Sequence, residues 1–358
     1  MLRDFVLNLQ QGNSLFNSFH FFEVMGLIRY KVPGYLLLIC AVVFLSIGWL
    51  VKHPSTPAVA SETKVYASVP AIETLRKKDG RLIQPLIMVD YSGEDPSLAP
   101  LKTTLEQYLK QKELSGDLKR ASVYFRDLNS SKNFSINPSA QYLPASIMKV
   151  PILITFLKES ETHAGLLQQK VFFKKHFAGI PEQTLTDPLL TEGRSYTINE
   201  LLQYMIINSD NDATALLNQY IDQDGLRVLF RVLGLKDPDF RSWDYFITAP
   251  ECSRFLSLLF NSTYLNEKNS EYAMNLLTKS HFKEGFAKRI DPQLTLAHKF
   301  GERNEGTEQQ LSETGIFYLD DKPYLLTVMT SGADHKLLPA ILADVSATTF
   351  SYMKSAGM

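Results

Sequence analysis

Residues 196–217 read YTINELLQYMIINSDNDATALL. The first half predicts a helix over 197–207, with Thr197 as its N-cap and Glu200 three residues on completing a capping box. The second half predicts another helix over 212–221. Between them lies Ser209-Asp210-Asn211, where polar side chains can face a cleft. All three residue types are also good helix caps, so the triplet alone does not separate a site from a cap. The helical reading continues through 226–233, 250–260 and 272–277. On the other side, Pro144 opens an apolar helix over 146–156.

Outward from this helical middle the pattern changes. Leu101, Leu105, Tyr108 and Leu109 recur at helical spacing and predict an amphipathic helix ending near Gln111. Residues 120–127 (RASVYFRD) alternate and are β-prone, 128–132 form a turn, and 133–136 form a short return strand. Near the C-terminus, 294–300, 315–319 and 324–330 read as strands, the last two joined by a turn at 320–323. A long helix over 336–353 closes the chain. The expected fold is α+β: an antiparallel five-stranded sheet with flanking terminal helices, plus an all-helical lobe. The sheet lobe takes about 96–140 and 290–358, and the helical lobe about 141–289.

The 358 residues are 45% hydrophobic and 21% charged, an ordinary globular balance. Lys plus Arg number 37 against 38 Asp plus Glu, which leaves no basic footprint for DNA or RNA. Two cysteines, Cys40 and Cys252, exclude a disulfide scaffold and a multi-cysteine metal site. A Gly-rich phosphate loop is absent, so nucleotide chemistry has no support. No metal and no cofactor are expected.

Residues 33–51 (PGYLLLICAVVFLSIGWLV) carry no charge. At helical rise they span about 28 Å, close to a bilayer core. Arg3, Arg29 and Lys31 before the run, against Lys52 after it, favour an N-terminus inside and the bulk of the chain outside the cytoplasm. Ala58-Val59-Ala60 fits a signal-cleavage pattern, but the long segment before the apolar run favours an uncleaved anchor over a cleaved signal or a buried core helix. The expectation is a cytoplasmic segment at 1–32, a transmembrane helix at 33–51 contacting the membrane, and a linker at 52–95 with a short strand near 82–89. Cys40 lies in the span and Cys252 far downstream, so they are not expected to pair.

Two further stretches carry chemistry. In PASIMKVPI, Ser146 starts a helix and Lys149 follows one turn later on the same face. The lysine can take the serine proton if burial lowers its pKa. Ser-x-x-Lys also occurs at Ser61–Lys64, Ser280–Lys283 and Ser351–Lys354, so the pattern alone is weak; the Ser146 copy differs in its Pro-Ala entry and apolar helix. His298-Lys299-Phe300-Gly301-Glu302 ends an expected strand. A lysine there can be solvated and inert, and Gly301 permits close backbone approach to the strand edge.

In combination, Ser-x-x-Lys, then Ser-Asp-Asn about 60 residues on, then Lys-x-Gly on a late strand, resembles the active-site serine penicillin-recognising enzymes. Within them, YTINELLQYMIINSDNDATALL, LAHKFGERN and TGIFYLDDKPYLLTVMT are similar to class A β-lactamases, and the resemblance covers residues 97–355. It implies Ser146 as nucleophile, Lys149 as its base or part of the proton relay, and Ser209 as proton donor to the leaving nitrogen. It implies Asn211 as a partner for the substrate amide, Asp210 as structural, and Lys299 as positive charge for a substrate carboxylate and for the relay. The implied oxyanion hole is the backbone N–H of Ser146 with that of Glu302, next to Gly301. The implied substrate is a small-molecule β-lactam or a peptidoglycan peptide.

The chain departs from that family twice. Phe300 replaces the hydroxyl residue of the third motif and cannot hydrogen-bond a carboxylate. The Glu-x-x-Leu-Asn pattern that supplies the deacylating base is missing from LKDPDFRSWDYFITAPECS. Asp239, Asp244 and Glu251 are the carboxylates available there, with Asp244 the best substitute. Three readings follow: a class A-type serine hydrolase with open deacylation, a D,D-peptidase-like enzyme, or a non-catalytic cell-wall binding module. A Ser-His-Asp esterase has no Gly-x-Ser-x-Gly elbow to support it, and His298 is expected to pack within its strand.

Overall fold

The computed structural model describes residues 75–76, 82–83, 86–88, 94–180, 190–238, 245–305, 308–334 and 336–355. The chain divides into two units, 1–67 and 68–358, and every described residue lies in the second.

Five antiparallel strands form the main sheet: β3 (Arg120–Asp127), β4 (Asn133–Ile136), β7 (Thr295–Glu305), β8 (Glu308–Leu319) and β9 (Lys322–Gly332). Their spatial order is β4-β3-β9-β8-β7. The N- and C-terminal hairpins are stitched by β3 on β9, with Val123 opposite Val328 and Phe125 opposite Leu326. Two short pairs stand apart: β1 (Leu75–Arg76) with β2 (Leu86–Met88), and β5 (Lys170–Phe173) with β6 (Arg194–Thr197).

Side chains of successive strand residues face opposite ways, so the sheet has two apolar faces. One face carries Phe125, Phe300, Phe317 and Val328 and is covered by α1 (Ala99–Leu114) and α8 (Leu338–Ser355). Leu101, Leu105 and Leu109 of α1, and Leu338, Ile341, Leu342 and Val345 of α8, supply the buried stripes. Tyr108 Oη donates to Asp344 at 2.6 Å and ties the two helices together. The other face, with Ala297, Ile316, Leu325 and Met329, packs against the helical lobe.

That lobe is centred on α2 (Lys149–Ser160), whose residues from Lys149 to Leu157 are all buried. A helix buried all round needs apolar residues on every face, which KVPILITFL provides after its lysine. Pro151 is tolerated because it stands in the first turn. Around it lie α3 (Ile198–Ile207), α4 (Asn211–Leu217), α5 (Gln223–Val232), α6 (Ala249–Asn261) and α7 (Glu267–Thr278). The Thr197 capping box of α3 is present, with both Thr197 and Glu200 bonded reciprocally.

The expectation of an all-helical lobe needs amending, because β5 and β6 form a hairpin within it. Val171 and Phe173 point inward and Lys170 and Phe172 outward, a period-two pattern too short to register against the helical signal around it. The expected linker also contains core residues. Leu82 and Ile83 are buried, Leu82 N–H donates to both Glu271 carboxylate oxygens, and Tyr318 Oη donates to the Leu82 carbonyl.

The expected membrane span requires correction. Residues 33–51 lie outside the described residues, as does Cys40. Among the described residues no helix is long and apolar enough to cross a membrane. The longest, α8, is amphipathic: its apolar stripe packs on the sheet while Lys354 is exposed. The fold shown is therefore the α+β body alone, without a transmembrane helix.

Candidate active site

Ser146 lies in a 3₁₀ turn, Ala145–Met148, that leads directly into α2. Three contacts hold this turn. Tyr142 and Ile247 exchange backbone hydrogen bonds at 3.0 Å, and Leu143 N–H donates to Gln310 Oε1 at 3.0 Å. On the sheet side, β7 runs hard against it: a Cβ at Gly301 would stand 2.1 Å from the Pro144 carbonyl oxygen and 3.0 Å from the Ser146 nitrogen. Only glycine permits that approach. Ala145 has a φ of 47° and Ser209 a φ of 56°, left-handed values that cost non-glycine residues energy. Both flank the same cluster.

Lys149 distinguishes this Ser-x-x-Lys from the others. Lys283 and Lys354 are exposed and Ser61–Lys64 lies outside the described residues, whereas Lys149 is 4% exposed. Its Nζ donates to the Ser209 carbonyl, to Ser209 Oγ at 3.1 Å and to Asn211 Oδ1 at 2.7 Å. Burial drives its pKa down to about 7, against the opposing pull of Asp210 and Glu302.

Lys299 approaches the same hydroxyl from the sheet. Its Nζ donates to Ser209 Oγ at 2.9 Å and to the Phe300 carbonyl at 2.9 Å. Burial, and secondarily the positive charge of Lys149, hold it well below the usual lysine range. Two buried lysines thus meet on one serine oxygen, an arrangement that favours a neutral amine in at least one of them. Neutral amines can accept protons, and a hydroxyl between two amines can pass them.

Asp210 serves the scaffold: its Oδ1 accepts from Ala213 N–H at 2.7 Å and caps α4. Glu251 likewise closes a capping box on α6, its carboxylate accepting from Thr248 N–H and Oγ1 at 2.9 Å each. That engagement leaves it badly suited to activate water. Asp239 and Asp244 lie outside the described residues. Cys252 is a buried free thiol. Among the described residues no cluster of three or more His, Cys, Asp or Glu could hold a metal ion.

Three nearby residues escape the sequence reading. His281, and not only His298, stands beside a motif: its N–H donates to the Ile207 carbonyl at 3.0 Å and its Nδ1 lies 2.8 Å from Asn208 Nδ2. Phe282 stacks on Phe300 with centroids 4.2 Å apart. Glu313 pairs with His298 Nδ1 at 2.6 Å. None follows a recurrent spacing, so no local signal marks them.

Solved structures share this fold. The extended-spectrum β-lactamase TLA-1 is 18% identical, with a TM-score of 0.62 over 71% of this chain and 98% of that one. PBP-A is 18% identical, with a TM-score of 0.63 over 74% of this chain and 100% of its own, and a point mutant of it has been solved as an acyl-enzyme complex with penicillin G. A β-lactamase from Chitinophaga pinensis is 15% identical, with a TM-score of 0.61 over 70% and 99%. No curated protein matches the chain. The motif order, the sheet with its helical lobe and the buried lysine pair all agree with a match at the level of the family: residues 100–353 fit the profile of the Beta-lactamase enzyme family, and the chain belongs to that family.

Proposed function

We propose that the chain is a serine hydrolase that opens amide bonds through an acyl-enzyme on Ser146, working outside the cytoplasm on β-lactams or peptidoglycan stem peptides. The observation that carries this is Lys149: a buried amine with a pKa near 7, one helical turn from Ser146 and hydrogen-bonded to Ser209 Oγ.

In this reading Lys149, once neutral and with its lone pair released from one of its three hydrogen bonds, takes the Ser146 proton as Oγ attacks the carbonyl carbon. The backbone N–H groups of Ser146 and Glu302 receive the developing oxyanion, a contribution of about 3 kcal/mol per donor in comparable sites. The close seating of Gly301 on the Ser146 turn supports this, because it brings the two backbones together. Ser209 hands a proton to the leaving nitrogen and is recharged by Lys149 or Lys299. Asn211 orients the substrate amide. With Glu251 engaged in its cap, the candidate carboxylates among the described residues offer no free base for water, and in this reading the acyl-enzyme hydrolyses slowly.

Incubating the protein with penicillin G and following intact mass tests this. The expected result is a persistent adduct that maps to Ser146 and disappears in Ser146→Ala. An adduct that survives in Ser146→Ala overturns the nucleophile assignment. Hydrolysed drug without a lasting adduct overturns slow deacylation. No adduct and no turnover would leave a binding module of the same fold.

A further inference from the structure

The surroundings of the Lys299 ammonium bear on which substrates the site accepts. An ammonium has three N–H donors and no acceptor. Here two are directed at oxygens of the protein, Ser209 Oγ and the Phe300 carbonyl, each at 2.9 Å. The third side is faced by the Phe300 ring, whose centroid is 4.2 Å from Nζ. That ring is in turn stacked on Phe282, at 4.2 Å and 23°, and both rings are 2% exposed. Ammonium, Phe300 and Phe282 therefore form a closed stack. A ring face attracts the cation but offers no donor to an anion.

Glu302 adds a second, independent observation. It stands within electrostatic range of both Lys149 and Lys299 and favours the charged form of each. A carboxylate already present at this corner repels a second one, and an anion buried without a dedicated donor loses its hydration uncompensated. A neutral group meets neither penalty.

Resting on the acyl-enzyme reading above, we infer that the part of the substrate seated beside Lys299, on the leaving-group side of the scissile bond, carries no carboxylate. The enzyme takes amides or esters that are uncharged there, such as an internal peptide bond, in preference to chains ending in a free carboxylate. Phe300, backed by Phe282, acts as a specificity determinant by closing the lysine face that a carboxylate would need.

The test compares penicillin G with its methyl ester on the wild-type protein. The second-order rate of adduct formation on Ser146 is read by intact mass and divided by each probe's rate with hydroxide. The ester is expected to react at least about tenfold faster on this scale, and Glu302→Gln to narrow the gap. A free acid that reacts as fast as the ester, or faster, overturns the inference and leaves the acyl-enzyme reading standing. Failure of both probes to label the protein overturns the acyl-enzyme reading itself, and the inference with it. The comparison needs no substitution in the packed Phe282–Phe300 stack, so a folding defect cannot mask the outcome.

Discussion

His298 and Lys299 are neighbours on β7, each 0% exposed, yet the protein surrounds them in opposite ways. His298 faces the side of the sheet covered by the terminal helices and meets Glu313 at 2.6 Å; Glu313 also accepts from Phe286 N–H at 2.8 Å. His298 Nδ1 thus meets a buried carboxylate that is itself held by a backbone N–H. Lys299 faces the helical lobe and meets a hydroxyl, a carbonyl and a ring, with a second buried lysine close enough to lower its pKa. The carboxylates of Glu313 and Glu302 pull its pKa the other way but do not offset the burial. One cluster pairs its buried groups; the other holds amines below the usual lysine range, as the proposed proton transfer at a serine requires.

This contrast gives three ways to break it. The largest effect is expected from Lys149→Met, which should lower the acylation rate by about 10³–10⁴-fold while leaving the melting temperature unchanged or raised. Stopped-flow labelling and calorimetry on the same preparation check both halves, and a near-wild-type rate would remove Lys149 from the relay. On the other face, Glu313→Ala should behave in the reverse sense. It unpairs His298 and the Phe286 N–H, at a cost of about 1–3 kcal/mol for each in denaturant unfolding. Adduct formation at low temperature should stay within a few-fold of wild type; a large loss of rate without loss of stability would show that the pair belongs to the reaction.

The smallest effect sharpens the comparison without a substitution. In the proposed mechanism the competent form of Lys149 is the neutral amine, which gains population as pH rises through its pKa of about 7. Acylation should therefore climb with pH and level off above that value, and at pH 6 should run at about one-tenth of the plateau. A rate independent of pH between 6 and 8 would show that no amine of this pKa controls attack on the carbonyl.

Much of the site is legible in short stretches of the chain. Ser146 and Lys149 sit three apart in an apolar helix, the Thr197 cap and Ser209-Asp210-Asn211 mark a helix junction, and Lys-x-Gly ends a strand. Each is a local pattern, with i to i+3 on a helix or punctuation by cap and turn, so short windows contain it. The environment that selects among equivalent patterns is not legible there. Nothing in the Ser-x-x-Lys spacing separates Lys149 from the exposed Lys283 and Lys354. Phe282 and Phe300 are 18 residues apart in sequence, and His298 and Glu313 lie on different strands. Their meeting depends on sheet register and on a loop laid beside β7. The apolar run at 33–51 lies outside the described residues, and the described body contains no membrane-crossing helix.

By itself the sequence determined the helices, the five strands of the main sheet and the chemical groups available, though not β5 and β6, because helix caps, turn residues and hydrophobic periods act over a few residues. Only the tertiary structure decided which lysine is stripped of water, which histidine meets a buried carboxylate, and which glycine lets β7 press on the Ser146 turn. Those are properties of burial and long-range contact. They arise when β7, α2 and the loop after α3 converge, and the energies involved are those of desolvation and paired charge rather than of local backbone preference.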